Sequence, residues 1–149
     1  MRAVVQRVME SSVASEGVIT GKIEYGLTVL IGVGENDTAE DAEYMAGKIS
    51  RLRIFEDEEG KMNLSVKDVG GDILAISQFT LYGDVKKGNR PSFSSAAHPE
   101  KANALYREFC AALKRKGIHV EEGVFQTDML VKINNDGPVT ILIDSKKEF

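Results

Sequence analysis

The chain is poor in the residues on which much enzyme chemistry is built. It has one cysteine, Cys110, and two histidines, His98 and His119. A lone thiol cannot close an internal disulfide and has no second cysteine with which to build a thiolate metal site. A reducing, cytoplasmic setting is the expectation. No stretch approaches the roughly 20 apolar residues a membrane helix needs, and the opening MRAVVQRVMESSV is broken by Arg2, Arg7 and Glu10. Neither an export signal nor a membrane partner is expected. His-Glu-x-x-His, Cys-x-x-Cys, the Walker lysine loop and the Gly-x-Ser-x-Gly elbow are all missing. Their absence argues against a zinc hydrolase or a nucleotide enzyme and leaves no metal or cofactor to expect.

What is present describes an ordinary folded chain. Hydrophobic residues make up 42% and charged residues 28% of 149 positions, neither the apolar poverty nor the charge excess of a disordered chain. A chain of this size can bury roughly 70% of the surface it exposes when unfolded, so a single domain over residues 1–149 is expected. The net charge of −4 argues against a protein that coats nucleic acid with its whole surface. Two local basic clusters remain: Lys86, Lys87 and Arg90 in a Gly-containing loop, and Lys114, Arg115 and Lys116 before Gly117. The second has a plain structural explanation, because cations favour the negative end of a helix dipole.

Repeats, linkers and low-complexity tracts are absent. Short Val, Ile and Thr runs predict strands over 1–9 and 11–34, with a hairpin turn at Ser15-Glu16-Gly17. From Thr38 to Leu52 the apolar positions Ala42, Met45, Ala46, Ile49 and Leu52 have helical spacing, and Asp37 or Thr38 is placed to cap it. Arg53-Ile54-Phe55 reads as a strand that breaks at Asp57–Gly60, and Asp72 to Leu81 as an interior strand. His98-Pro99 opens a second helix, with Ala102, Leu105, Phe109, Ala112 and Leu113 on one face and Gly117 as its stop. After His119-Val120, two strands, Met129 to Asn134 and Val139 to Ile143, are expected on either side of a turn at Asn135-Asp136-Gly137-Pro138. The fold class is therefore α/β, two main helices packed on a mixed sheet.

Few side chains look reactive. His98 and His119 sit at helix ends, where solvated or capping roles are common. Cys110 follows the apolar-face residue Phe109, the position of a small packing residue. Glu56 to Glu59 form a charge run at a turn. Two segments stand out because polar residues interrupt stretches that otherwise read as core. In Ser77-Gln78-Phe79-Thr80-Leu81 an apolar strand ends in hydroxyl and amide groups. A strand reaching the surface would look the same, yet strand ends are also where α/β folds hold ligands and where backbone N–H groups can meet a developing oxyanion. In Asn135-Asp136-Gly137-Pro138-Val139-Thr140 a plain turn is one reading. A cis bond at Gly137-Pro138, aiming two carbonyls one way, is the other.

These segments together resemble the paired motifs of the D-aminoacyl-tRNA deacylase (D-tyrosyl-tRNA deacylase) family: Ser-Gln-Phe-Thr at Ser77 to Thr80, and Asn-x-Gly-Pro-x-Thr at Asn135 to Thr140. The resemblance extends to Gln6-Arg7-Val8, to the Gly83 to Phe93 loop with its Arg90-Pro91-Ser92-Phe93, and to Phe125 through Met129. It implies a three-layer β/β/α homodimer with its site at the subunit interface. It also implies a cis Gly137-Pro138 that enters the partner's pocket as a chiral filter, gripping the substrate amino group and excluding L side chains. Arg7 is implied to orient that loop, with Phe125 and Met129 beside the terminal adenosine of the tRNA partner.

The implied reaction is hydrolysis of the ester in D-aminoacyl-tRNA, a translation proofreading step. That ester is already activated, so water plus backbone N–H groups around Phe79 and Thr80 can suffice, each well-placed donor contributing roughly 3–4 kcal/mol. Thr80 would need an activating base to act as a nucleophile, and its motif supplies none. Thr80 is therefore read as a positioning residue, with the vicinal ribose hydroxyl of the tRNA assisting attack, and a covalent Thr80 mechanism stands as the minority alternative. A tRNA acceptor-end binding module without catalysis, and an esterase for small D-amino acid derivatives, are the competing readings.

Overall fold

The computed structural model describes residues 1–149. Fourteen consecutive residues rich in Val, Ala and Ser form the longest early strand, β1 (Arg2–Ser15), which runs through the break expected near residue 10. The turn at Glu16-Gly17, both at positive φ, reverses the chain into β2 (Val18–Ile23). After Glu24-Tyr25 comes β3 (Gly26–Gly32). Both lie antiparallel to β1: β2 pairs with Ser11 to Ser15, and β3 with Arg2 to Val8.

Helix α1 (Ala39–Ser50) starts where Thr38 donates its N–H to Asp41 Oδ2 at 2.8 Å, and buries Ala42, Met45, Ala46 and Ile49. A small hairpin of β4 (Phe55–Glu56) and β5 (Met62–Leu64) stands where sequence placed one strand over 53–55. The interior strand is β6 (Asp72–Ser77), parallel to β3. It ends four residues before the expected Leu81, because Phe79–Tyr82 closes into a 3₁₀ helix. Helix α2 (Pro99–Arg115) has Pro99 in its first turn and carries Tyr106, Phe109, Cys110 and Leu113 into the core. It leads to β7 (Val120–Glu122), parallel to β6. The sheet is thus mixed, as expected, and two helices pack on it.

One large buried cluster joins both helices to β1, β3 and β6 through Val5, Leu27, Ile31, Met45, Ile73 and Phe109. A smaller one, Val8, Val13, Ile23, Leu74 and Ile76, gathers the side chains that point the other way from β6. The period-2 alternation of β6 explains the split: Ile73 and Ala75 face the helices, Leu74 and Ile76 the second cluster.

The largest correction concerns the chain end. The two expected strands are one, β8 (Met129–Asp144), antiparallel to β1 along its whole length. Asn135–Pro138 is no hairpin turn, since the chain does not reverse. Gln6 pairs with Thr140 and Val8 with Asn135, so residues 136–139 bulge out opposite the single residue Arg7.

Beyond β8, Ser145 Oγ donates to Asp41 Oδ1 at 2.7 Å and Lys146 Nζ to Asp41 Oδ2 at 3.1 Å. Burial alone would raise the Asp41 pKa, but the bonds from Ser145, the Thr38 N–H and Lys146 outweigh it and hold the carboxylate at about 2. A folded-state pKa below the unfolded value of roughly 3.9 stabilises the fold above that pH and loses its contribution as pH falls toward 2. Chemical denaturation should therefore show stability falling between about pH 4 and pH 2, with Asp41→Asn less stable at pH 7 and flatter across that window.

Candidate functional site

The end of β6 is where the fold opens. Gln78 N–H still donates to Ile31 O at 2.8 Å, continuing the ladder one residue beyond the strand, and the 3₁₀ helix then turns the chain away. Its first internal bond runs from Leu81 N–H to Gln78 O at 3.3 Å. The N–H groups of Phe79 and Thr80 precede it, and the first donors of a helix have no partner within it.

A cavity of about 880 Å³ lies here. Ile76, Ser77, Gln78 and Phe79 form one wall, the Phe93–Pro99 segment and Ala102 of α2 another, and Phe125 to Met129 with Val131 a third. The walls are fixed by packing. Phe79 meets Phe93 edge to face at 5.1 Å, and Phe125 stacks on Tyr106 at 6.4 Å. Tyr106 is itself held by donating to Ala75 O at 2.8 Å. Thr127 Oγ1 donates to Val124 O and accepts from Ser15 Oγ, both at 2.9 Å, which shapes the turn that bears Phe125.

Of the residues singled out from sequence, Ser77, Gln78, Phe79, Phe125 and Met129 share this cavity, whereas Thr80, Arg7, Gly137 and Pro138 do not line it. Thr80 is exposed, and its Oγ1 accepts from Gln78 Nε2 at 2.5 Å, with no base among its hydrogen-bond partners. Glu35, His98 and Asp128 also line the cavity, although sequence gave them no role there. Asp128 lies within the Phe125 to Met129 segment marked by the resemblance, and His98 stands beside the Pro99 helix start. Its imidazole makes no hydrogen bond within the chain. No group of three or more His, Cys, Asp and Glu gathers as a metal site. Cys110 lies outside the cavity, and burial with nearby Glu122 pushes its thiol up to about 12, which suits packing rather than nucleophilic chemistry.

The second motif forms a separate structure. The Gly137-Pro138 bond is cis, and both residues are exposed at the crest of the bulge. Asn135 clamps the bulge at its base: Nδ2 donates to Val139 O at 3.1 Å and to Thr140 Oγ1 at 3.3 Å, while Oδ1 accepts from Val139 N–H at 2.8 Å. Gln6 Nε2 reaches the same Thr140 hydroxyl at 3.2 Å. Beneath the crest sits Arg7, only 5% exposed. Its Nε is 3.1 Å from Asp136 O and 3.2 Å from Asp136 Oδ2, and Nη1 donates to Ile54 O at 2.8 Å. Gly137 has φ +133°, and a Cβ there would lie 2.8 Å from Val139 Cγ2 and 3.3 Å from Arg7 Nη2. From Met129 to the base of the bulge at Asn135 is a run of extended strand, roughly 20 Å at 3.3 Å per residue. The crest and the cavity are therefore distinct places on one chain.

Comparison with known proteins adds a third line. The family model described as D-Tyr-tRNA(Tyr) deacylase matches residues 4–144. A protein of Koribacter versatilis named D-aminoacyl-tRNA deacylase is 64% identical over 149 residues, covering 100% of both chains. A solved structure titled c-Myc DNA Unwinding Element Binding Protein superposes with a TM-score of 0.91 at 44% identity, covering 97% of this chain and 98% of that one. Another, titled as a probable eukaryotic D-amino acid tRNA deacylase, shares the fold at a TM-score of 0.82 and 20% identity, covering 95% and 97%.

The clamp can be tested by itself. Asn135→Ala strips Val139 of its side-chain partners and should cost about 1–3 kcal/mol in urea denaturation. Hydrogen exchange should speed up at the Val139 amide in that variant while β6 amides keep their protection.

Proposed function

The chain belongs to the D-Tyr-tRNA(Tyr) deacylase family, and from that premise we propose that it acts as one domain within a cytoplasmic homodimer. It hydrolyses the ester of D-aminoacyl-tRNA, releasing the D-amino acid and tRNA. The reading extends to a three-layer β/β/α packing and to a site completed across the subunit interface. One observation carries the reading: an exposed, braced Gly137-Pro138 crest and an open cavity walled by Ser77, Gln78 and Phe79 occur on the same chain but apart. Two copies related by symmetry would let each crest enter the other's cavity. The exposed Leu130 and Leu142 of β8 offer apolar area for such an interface.

In this reading the amino acid sits between the crest and the 3₁₀ turn, with Phe125 and Met129 beside the terminal adenosine. The Gly137 and Pro138 carbonyls accept from the substrate ammonium. A wall of backbone leaves no volume for an L side chain, while a D side chain points away from it. Such rejection depends on the wall staying still, and Arg7 and Asn135 supply the stiffness. It also reads no side chain in detail, so many D-amino acids should be accepted.

The chemistry needs little more than positioning. Water attacks the carbonyl carbon, the N–H groups of Phe79 and Thr80 receive the developing oxyanion, and the vicinal ribose hydroxyl assists proton transfer before the ester oxygen leaves. Ser77 and Gln78 hold the wall of the cavity, and Gln78 fixes the Thr80 hydroxyl. Thr80 orients this turn and is not acylated.

Two outcomes check the reading. Thr80→Val should retain D-aminoacyl-tRNA hydrolysis within about tenfold of wild type, whereas a covalent threonine would lose at least 10³-fold, the scale of removing an essential nucleophile. Gly137→Ala should cut the ratio of D- to L-ester cleavage at least tenfold by displacing the crest from its neighbours. Unchanged discrimination in a folded Gly137→Ala protein would remove the crest from the filter.

A further inference from the structure

The two basic clusters visible in the sequence have opposite fates in the fold. At the C-terminal end of α2 every cation is matched: Lys114 pairs with Glu122 at 2.9 Å, Arg115 with Glu108 at 2.8 Å and Lys116 with Glu43 at 2.7 Å. Lys86, Lys87 and Arg90 are exposed and form no ion pair with any carboxylate of the chain. A chain of net charge −4 thus neutralises one basic cluster and leaves the other without a carboxylate partner, at one place in the fold.

That place is a shaped loop beside the cavity. Asp84 and Ser92 exchange backbone hydrogen bonds at 2.8 and 2.9 Å, and Lys86 N–H donates to Asp84 Oδ1 at 2.8 Å, with Gly88 at φ +82° on the tip. The neighbouring residue, Phe93, is cavity wall and packs on Phe79. Arg90 is three residues from Phe93, at most roughly 10 Å of chain, and the Asp84–Ser92 bridge keeps both lysines within a similar reach. On the rim formed by Gln126, Thr127 and Asp128, the only charge is negative. On the Glu35 side, Lys101 donates to Glu35 O at 2.6 Å.

We infer that the 84–92 loop is the contact for the sugar-phosphate backbone of the tRNA acceptor arm. The inference rests on the hydrolase reading of the cavity and adds the route by which the polyanion leaves it. With the ester inside, the phosphates of the preceding nucleotides must cross one rim. The loop presents a cluster of unpaired cations there, long and flexible enough to follow a backbone without reading its bases. The loop then sets affinity for the nucleic acid, and the cavity sets the chemistry.

The test compares two substrates that share the ester and differ in phosphate. In Lys86→Gln/Lys87→Gln/Arg90→Gln, kcat/KM for D-aminoacyl-tRNA should fall at least tenfold, mostly through KM, while cleavage of the D-aminoacyl ester of adenosine, which has no phosphate, changes less than twofold. The log–log salt slope for binding of uncharged tRNA should shallow by about 2–3, since each phosphate neutralised on a duplex contributes about 0.9. Neutralising Lys114, Arg115 and Lys116 instead should leave tRNA binding unchanged. Equal losses on both substrates, or an unaltered salt slope in the loop variant, would overturn the assignment. A wild-type protein that binds tRNA through the loop yet cleaves neither ester would overturn the hydrolase reading instead and leave the loop assignment standing.

Discussion

A buried guanidinium under an exposed crest organises much of this molecule. Four residues of β8 stand opposite Arg7 alone, a departure from ladder pairing that leaves the bulge's own backbone groups to find partners. Arg7 answers by bridging Asp136 to Ile54, and thus tying the crest to the loop before β4. A charge this buried is tolerated only when paired and hydrogen-bonded, so its surroundings are constrained in turn. The crest is stiff because the sheet on either side of it is continuous and because Arg7 and Asn135 fill the gap between.

The cavity is organised differently. Its walls are aromatic edges and strand ends, beside the place where β6 gives way to a 3₁₀ turn whose first backbone amides have no partner within it. Backbone donors suit an activated ester, since they cost no reorganisation as charge develops. In the proposed reading this division explains an enzyme with so little reactive side-chain chemistry. On that reading the selective element is built from carbonyls and the catalytic element from amides, each held by side chains that do not themselves react.

Much of this was legible from the chain. The face spacing of α2, its Pro99 start and its Gly117 stop gave the helix nearly to the residue, because local propensity and burial agree there. The Ser77–Thr80 and Asn135–Thr140 motifs marked the two unusual places. What was not legible depended on partners far along the chain. A strand and a 3₁₀ turn share the apolar run 72–82, and only the Gln78–Ile31 bond and the turn beyond it show where one ends. The Asn-Asp-Gly-Pro run has the composition of a hairpin turn, and pairing of both flanks with β1 is what makes it a bulge. Likewise the sequence marks the second basic cluster as a helix end, but its neutralisation by Glu43, Glu108 and Glu122 depends on the fold.

The central claim is that the ester is cut by backbone donors and the substrate's own hydroxyl, without a side-chain base or nucleophile. The direct measurement is the single-turnover rate on D-aminoacyl-tRNA whose terminal ribose lacks the hydroxyl next to the ester, against the rate on the intact substrate at equal saturation. The account predicts a loss of at least 10²-fold with binding unchanged, the lower range for positioned proton transfer. Cleavage of both substrates at the same rate would contradict it and require a catalytic side chain in the cavity.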